Sequence, residues 1–130
     1  MRYLLDSNAV IAIMKEHPKL LMRMQQHAPE DFAISTINAH ELHYGAYKSQ
    51  QTESNLGRVE ALRFEVLDFD RHAAEHAAVI RVSLEKRGAP IGPYDCQIAG
   101  HARSRDLTLI SRNTREFERV PELKLEDWEA

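Results

Sequence analysis

Short apolar runs that read as strands are separated along this whole chain by longer stretches patterned as helices, and that alternation constrains the fold more than any other feature. The strand-like runs are Tyr3 to Leu5, Phe32 to Ser35, Phe64 to Phe69, Leu107 to Ser111 and Leu123 to Leu125. The predicted helices between them begin with Ala9 to Lys15, which Pro18 ends or follows, and Lys19 to Gln26. Next come Ile37 to Lys48, capped by Thr36, and Glu53 to Leu62. Arg71 to Lys86 is capped by Asp70 and stopped by Gly88 and Pro90, and a last helix opens at Gly92-Pro93-Tyr94-Asp95 and carries Ile98, Ala99 and Ala102. In the longest of these, Ala73, Ala77, Ile80 and Leu84 recur at spacings of three and four, the signature of one buried stripe.

Strands that each return through a helix pair in parallel by right-handed crossovers, and a parallel sheet is covered on both faces. The expectation is therefore an α/β fold of three layers, with a central, mostly parallel sheet of about four or five strands. No repeat, Gly/Ser linker or low-complexity tract interrupts it, so residues 1–130 read as a single domain.

Composition narrows the setting. With 43% hydrophobic and 28% charged residues the chain is ordinary for a globular protein, which argues against disorder, a coiled coil or a collagen-like chain. No stretch approaches the roughly 18 apolar residues of a membrane span, and Ala9 to Met14 is too short for a signal sequence core. The lone Cys96 has no internal disulfide partner, which suits a reducing, cytoplasmic location. A formal charge of −3 gives no general attraction to nucleic acid, although basic residues gather at Lys86-Arg87, Arg103-Arg105 and Arg112-Arg115-Arg119. A polyanion would have to be held locally, or through a cation.

Ligands of open parallel sheets bind beyond the carboxyl ends of the strands. Asp6 immediately follows the first predicted strand, Glu41 lies in the helix after the second, and Asn113 follows the fourth. Asp95 opens the helix that leads into that fourth strand. Taken singly each has a plainer reading: Asp6 and Asp95 as helix caps, Glu41 as a solvated helix acid, Asn113 as a turn residue. Taken together, three acids and an amide can meet at one sheet edge, where like charges repel unless a cation lies among them. Mg²⁺ or Mn²⁺ takes oxygen ligands, leaves positions open for phosphate and can polarise a phosphodiester.

These positions carry a resemblance. Tyr3-Leu4-Leu5-Asp6-Ser7-Asn8, Ser35-Thr36 with His40-Glu41-Leu42-His43-Tyr44-Gly45-Ala46, Gly92-Pro93-Tyr94-Asp95 with Ile98-Ala99 and His101-Ala102, and Asn113-Thr114-Arg115-Glu116-Phe117 follow one another along the chain. Together they resemble the successive motifs of PIN-domain ribonucleases, and more narrowly of VapC toxins of bacterial type II toxin-antitoxin pairs. The resemblance implies a Mg²⁺-dependent endoribonuclease in which Asp6 and Asp95 hold the metal, Glu41 is a further acidic site residue and Asn113 takes the place of the frequent fourth acid. It makes initiator tRNA, cut in the anticodon stem-loop, the leading substrate. It also implies a homodimer neutralised by a VapB-type antitoxin that binds operator DNA. Two positions depart from the pattern: Ser7 stands for the usual Thr and keeps its hydroxyl, and Asn113 is neutral. Glu116 either supplies the missing charge or pairs with Arg112 or Arg119. Arg112 and Arg115 are weaker candidates for RNA contacts.

Other constellations are less persuasive. His40 and His43 are three residues apart rather than the four of a zinc protease helix, with no third ligand nearby. Cys96 reads as a small buried residue rather than a nucleophile, and His27, His72, His76 and His101 as residues of helix surfaces. Asp68 and Asp70 end the third strand somewhat as in a phosphoacceptor domain, but that reading needs paired acids after the first strand. A catalytically idle module that only binds a partner is the non-enzymatic alternative.

Overall fold

The computed structural model describes residues 1–130. Five strands, β1 (Tyr3–Leu5), β2 (Phe32–Ser35), β3 (Glu65–Leu67), β4 (Thr108–Ile110) and β5 (Leu125–Glu126), form one sheet in the order β3-β2-β1-β4-β5. Every neighbouring pair is parallel. The seven helices are α1 (Ser7–Met14), α2 (Pro18–Met24), α3 (Thr36–Lys48), α4 (Thr52–Glu60), α5 (Arg71–Lys86), α6 (Pro93–Ser104) and α7 (Thr114–Phe117). None is long and apolar enough to cross a membrane.

Residues alternate sides along a strand, and here both sides are buried. Leu4, Ala33 and Leu109 pack with Ile80 and Leu84 of α5 and Ile98, Ala99 and Ala102 of α6. Their strand neighbours Tyr3, Leu5, Phe32, Ile34 and Ile110 pack on the opposite face with Val10 of α1, Leu20 of α2, Leu42 of α3 and Trp128. The helices therefore lie on both faces, as the alternation requires. On the first face α5 and α6 come unusually close: a Cβ at Gly100 would lie 2.5 Å from the backbone nitrogen of Ala77. On the second, Trp128 seals the sheet against Tyr3, Phe32 and His27, the last stacked on it at 5.4 Å.

Several local readings change. α1 begins at Ser7 because Asp6 is its N-cap, and Pro18 follows that helix and opens α2 behind a His17 cap. Ser35, not Thr36, caps α3; Thr36 is its first residue and accepts from Phe69 N at 3.1 Å. β3 is shorter than Phe64 to Phe69, β4 shorter than Leu107 to Ser111, and β5 falls at Leu125–Glu126. α7 was not expected, since four residues are too few to show a helical period. His101 is 1% exposed within α6, and His27 follows α2 in the aromatic cluster, so neither belongs to a helix surface.

Candidate active site

The strand order places β1 at the centre, with the chain first running outward through β2 and β3 and then returning to β4 on the other side. The order of connection thus reverses between β1 and β4, and the carboxyl ends there form the crevice in which open α/β sheets bind ligands. Asp6 sits at this point. Its N–H donates to Ile110 O at 3.0 Å, which ties the residue after β1 to the end of β4.

Asp6 is 6% exposed. One carboxylate oxygen accepts from Ser7 N at 2.8 Å and the other from Ser111 Oγ at 2.9 Å. Capping α1 thus uses one oxygen, and the plainer reading accounts for only half of the group. Burial raises the Asp6 carboxyl above its ordinary value, opposed by the bonds from Ser111 and Ser7.

Glu41, in the second turn of α3, accepts from Ser7 Oγ at 3.1 Å. It is half-buried, so the reading as a solvated helix acid does not describe it. Burial raises its carboxyl first, the Ser7 bond opposes this, and Asp6 adds to the rise. Asp95 stands in the first turn of α6, which Gly92 caps without any side-chain bond. Every influence on Asp95 acts in one direction: burial, then the charges of Asp6, Glu116 and Glu41, push it up to about 6. These four acids therefore share one rim, though β1, α3, α6 and α7 bring them from separate parts of the chain.

Asn113 and Glu116 form a pair. The Asn113 amide donates to Glu116 Oε2 at 2.7 Å, and its backbone N–H donates to Ser111 Oγ at 3.0 Å. Glu116 thus pairs with neither Arg112 nor Arg119, and its charge is the one Asp95 feels from that side. Arg112 and Arg115 are exposed and unpaired with any acid.

Four residues that support the site were not singled out for that role in the sequence. Ser111 holds Asp6. Asn38, fully buried, accepts from Ser35 N at 3.0 Å and donates to Ser7 Oγ at 3.0 Å. Ser35 Oγ accepts from Ile37 N and is hydrogen-bonded to His101 Nδ1 at 2.8 Å. His101 Nε2 has no partner, and burial holds the ring below its usual pKa. The Ser35-x-x-Asn38 spacing was the one available clue, as a capping box.

The rim suits a hard divalent cation. Its donors are carboxylate oxygens, and no donor or positive charge relieves Asp95. No three acidic, histidine or cysteine side chains of the chain are grouped closely enough to hold a metal by themselves. Zinc finds no such fit: His40 is exposed and His43 Nδ1 is engaged with Ala39 O at 2.8 Å. Cys96 is buried, and burial raises its thiol, which disfavours the thiolate a nucleophile needs. Asp70 is committed to capping α5 through Ala73 N at 3.0 Å.

Comparison with known proteins shows the family. Residues 3–123 match the PIN domain family. A tRNA(fMet)-specific endonuclease VapC from Salmonella typhimurium is 44% identical over 98% of both chains, and a ribonuclease VapC2 from Haemophilus influenzae is 42% identical over 98% of both. Among solved structures, DNA-bound VapBC from Salmonella typhimurium superposes with a TM-score of 0.93 at 44% identity, covering 98% of each chain. VapBC2 from Rickettsia felis, bound to a fragment of its promoter, superposes with a TM-score of 0.90 at 33% identity, covering 98% of this chain and 99% of that one. The chain belongs to the PIN-domain family, as one of its VapC ribonucleases.

Proposed function

We propose that this protein is the toxin of a type II toxin-antitoxin pair and that it cuts initiator tRNA in the anticodon stem-loop, using Mg²⁺, with Mn²⁺ able to substitute. The observation that carries the reading is that Asp6, Glu41 and Glu116 lie near enough to Asp95 for their charges to add to burial, the larger cause, in pushing it up to about 6. The named activity of the Salmonella relative supports tRNA as substrate.

In this reading Asp6 and Asp95 are the residues that hold the cation, which when bound polarises the phosphodiester and acidifies an attacking water. Ser111 and the Ser7 N–H fix Asp6 so that its remaining lone pairs face the rim. Glu41, held by Ser7, would take the proton of a water attacking phosphorus in line with the leaving oxygen, whose P–O bond breaks as the new one forms; a carboxyl raised by burial is the better base for it. Asn113 contributes as the donor that steadies Glu116, with Glu116 supplying charge where Asn113 has none. Arg112 and Arg115 contact the RNA backbone.

A VapB-type antitoxin is the proposed partner, in an assembly that reaches operator DNA through the antitoxin, with two copies of this chain. Its chemistry follows from the rim: an arginine placed among the acids satisfies them as the cation does. A reducing cytoplasm is the proposed location. The test is sequencing of RNA 5′ ends after expression of the wild type and of Asp6→Asn. Cleavage confined to one tRNA loop, and absent with Asp6→Asn, is expected; identical fragments from both proteins would overturn the reading.

A further inference from the structure

Glu41 owes its donor to a chain of bonds whose direction is fixed at its far end. Ser35 N–H can only donate, so the Asn38 atom facing it is the amide oxygen. The Asn38 nitrogen is then turned to Ser7 Oγ, which must accept. Ser7 has one proton, and Glu41 Oε1 at 3.1 Å receives it. The same device appears once more on the rim, where Asn113 N–H donates to Ser111 Oγ and thereby turns the Ser111 proton onto Asp6. The first chain passes through an amide with both ends engaged in a fully buried position.

We propose that Asn38 is a positioning residue for the reaction: it sets the orientation of the Ser7 hydroxyl and through it the placement of Glu41. The inference rests on the ribonuclease reading above. Asn38 also completes the capping box of α3, and a residue needed only for that would destabilise the helix without acting through Ser7. The two roles separate in a double-mutant cycle.

Cleavage of tRNA and thermal unfolding are measured for the wild type, Ser7→Ala, Asn38→Ala and the double variant. Ser7→Ala and Asn38→Ala should each lower kcat by about 10- to 100-fold, as loss of an outer-shell partner commonly does, with KM little changed. In the Ser7→Ala background Asn38→Ala should cost almost nothing further in kcat, whereas its effect on the melting temperature should persist in both backgrounds. Ser7→Thr, which keeps the hydroxyl, should retain activity. Should Asn38→Ala fail to fold, Asn38→Asp replaces it: the carboxylate still accepts from Ser35 N–H but offers Ser7 no donor, and its loss of kcat should shrink when residue 7 is Ala. Full additivity of the two kcat effects, or an Asn38 variant with normal kcat, would overturn the proposal. Asp6→Asn is assayed in parallel. If it too cleaves normally, the ribonuclease site itself is misassigned; if it is inactive while the cycle is additive, only the role of Asn38 fails.

Discussion

Asp6 and Asp95 lie on the same rim, yet one is held by two donors and the other by none. Asp6 follows a central strand, and its oxygens are taken by Ser7 N and Ser111 Oγ. Asp95 opens a helix, accepts no bond, and feels only burial and three neighbouring acids. Glu41 and Glu116 resemble Asp6, each with a single side-chain donor, from Ser7 and from Asn113. The difference separates two tasks. Three acids are held in fixed orientations by donors from the chain, and the fourth is left for an external positive charge to satisfy.

Removing a carboxylate from either side should have the largest effect. Asp6→Asn and Asp95→Asn should each lower tRNA cleavage by about a hundred- to a thousandfold in a single-turnover assay, while folding is kept. If only one of them does so, the two acids do not share a cation. Ser111→Ala comes next. It removes the donor from Asp6 and leaves Asp95 untouched, so the rate should fall by about 10- to 100-fold, with a raised Mg²⁺ requirement in a metal titration. An unchanged requirement would mean that the orientation of Asp6 does not matter to the cation. The smallest effect is expected outside the rim: Arg112→Ala and Arg115→Ala should each flatten the salt dependence of RNA binding by about one unit of slope and leave kcat alone.

The part of this arrangement that the sequence displays is the part that depends on local position. Asp6, Glu41 and Asp95 were legible because each stands where a strand or helix meets the expected sheet edge, and a short apolar run before Asp6 is enough to say so. Of the residues that support them, Ser7 was legible beside Asp6, whereas Ser111, Asn38 and His101 were not. Ser111 reaches Asp6 across 105 positions, His101 reaches Ser35 across 66, and Asn38 reaches Ser7 across 31. No period or spacing reports a bond of that kind; only the folded sheet brings the partners together. The cap of α3 shows the same limit at short range, since Ser35 and Thr36 are both good caps and Asn38 decides between them by bonding Ser35 N.

The account stands or falls on whether the acids share a rim that a cation neutralises, and thermal unfolding with and without Mg²⁺ tests this most directly. Asp95 has an ordinary value of 3.8 and rises to about 6 in the folded chain, so without metal the folded state holds a proton that the unfolded state releases between those values. Stability is therefore lost as pH rises through that window, and the deficit is complete above it. At pH 7 in EDTA, Asp95→Asn should melt higher than the wild type, the gap should close toward pH 4, and Mg²⁺ should raise the wild type while leaving Asp95→Asn almost unmoved. A wild type that melts at or above Asp95→Asn in EDTA at pH 7, or Mg²⁺ shifts of equal size in both proteins, would contradict the account.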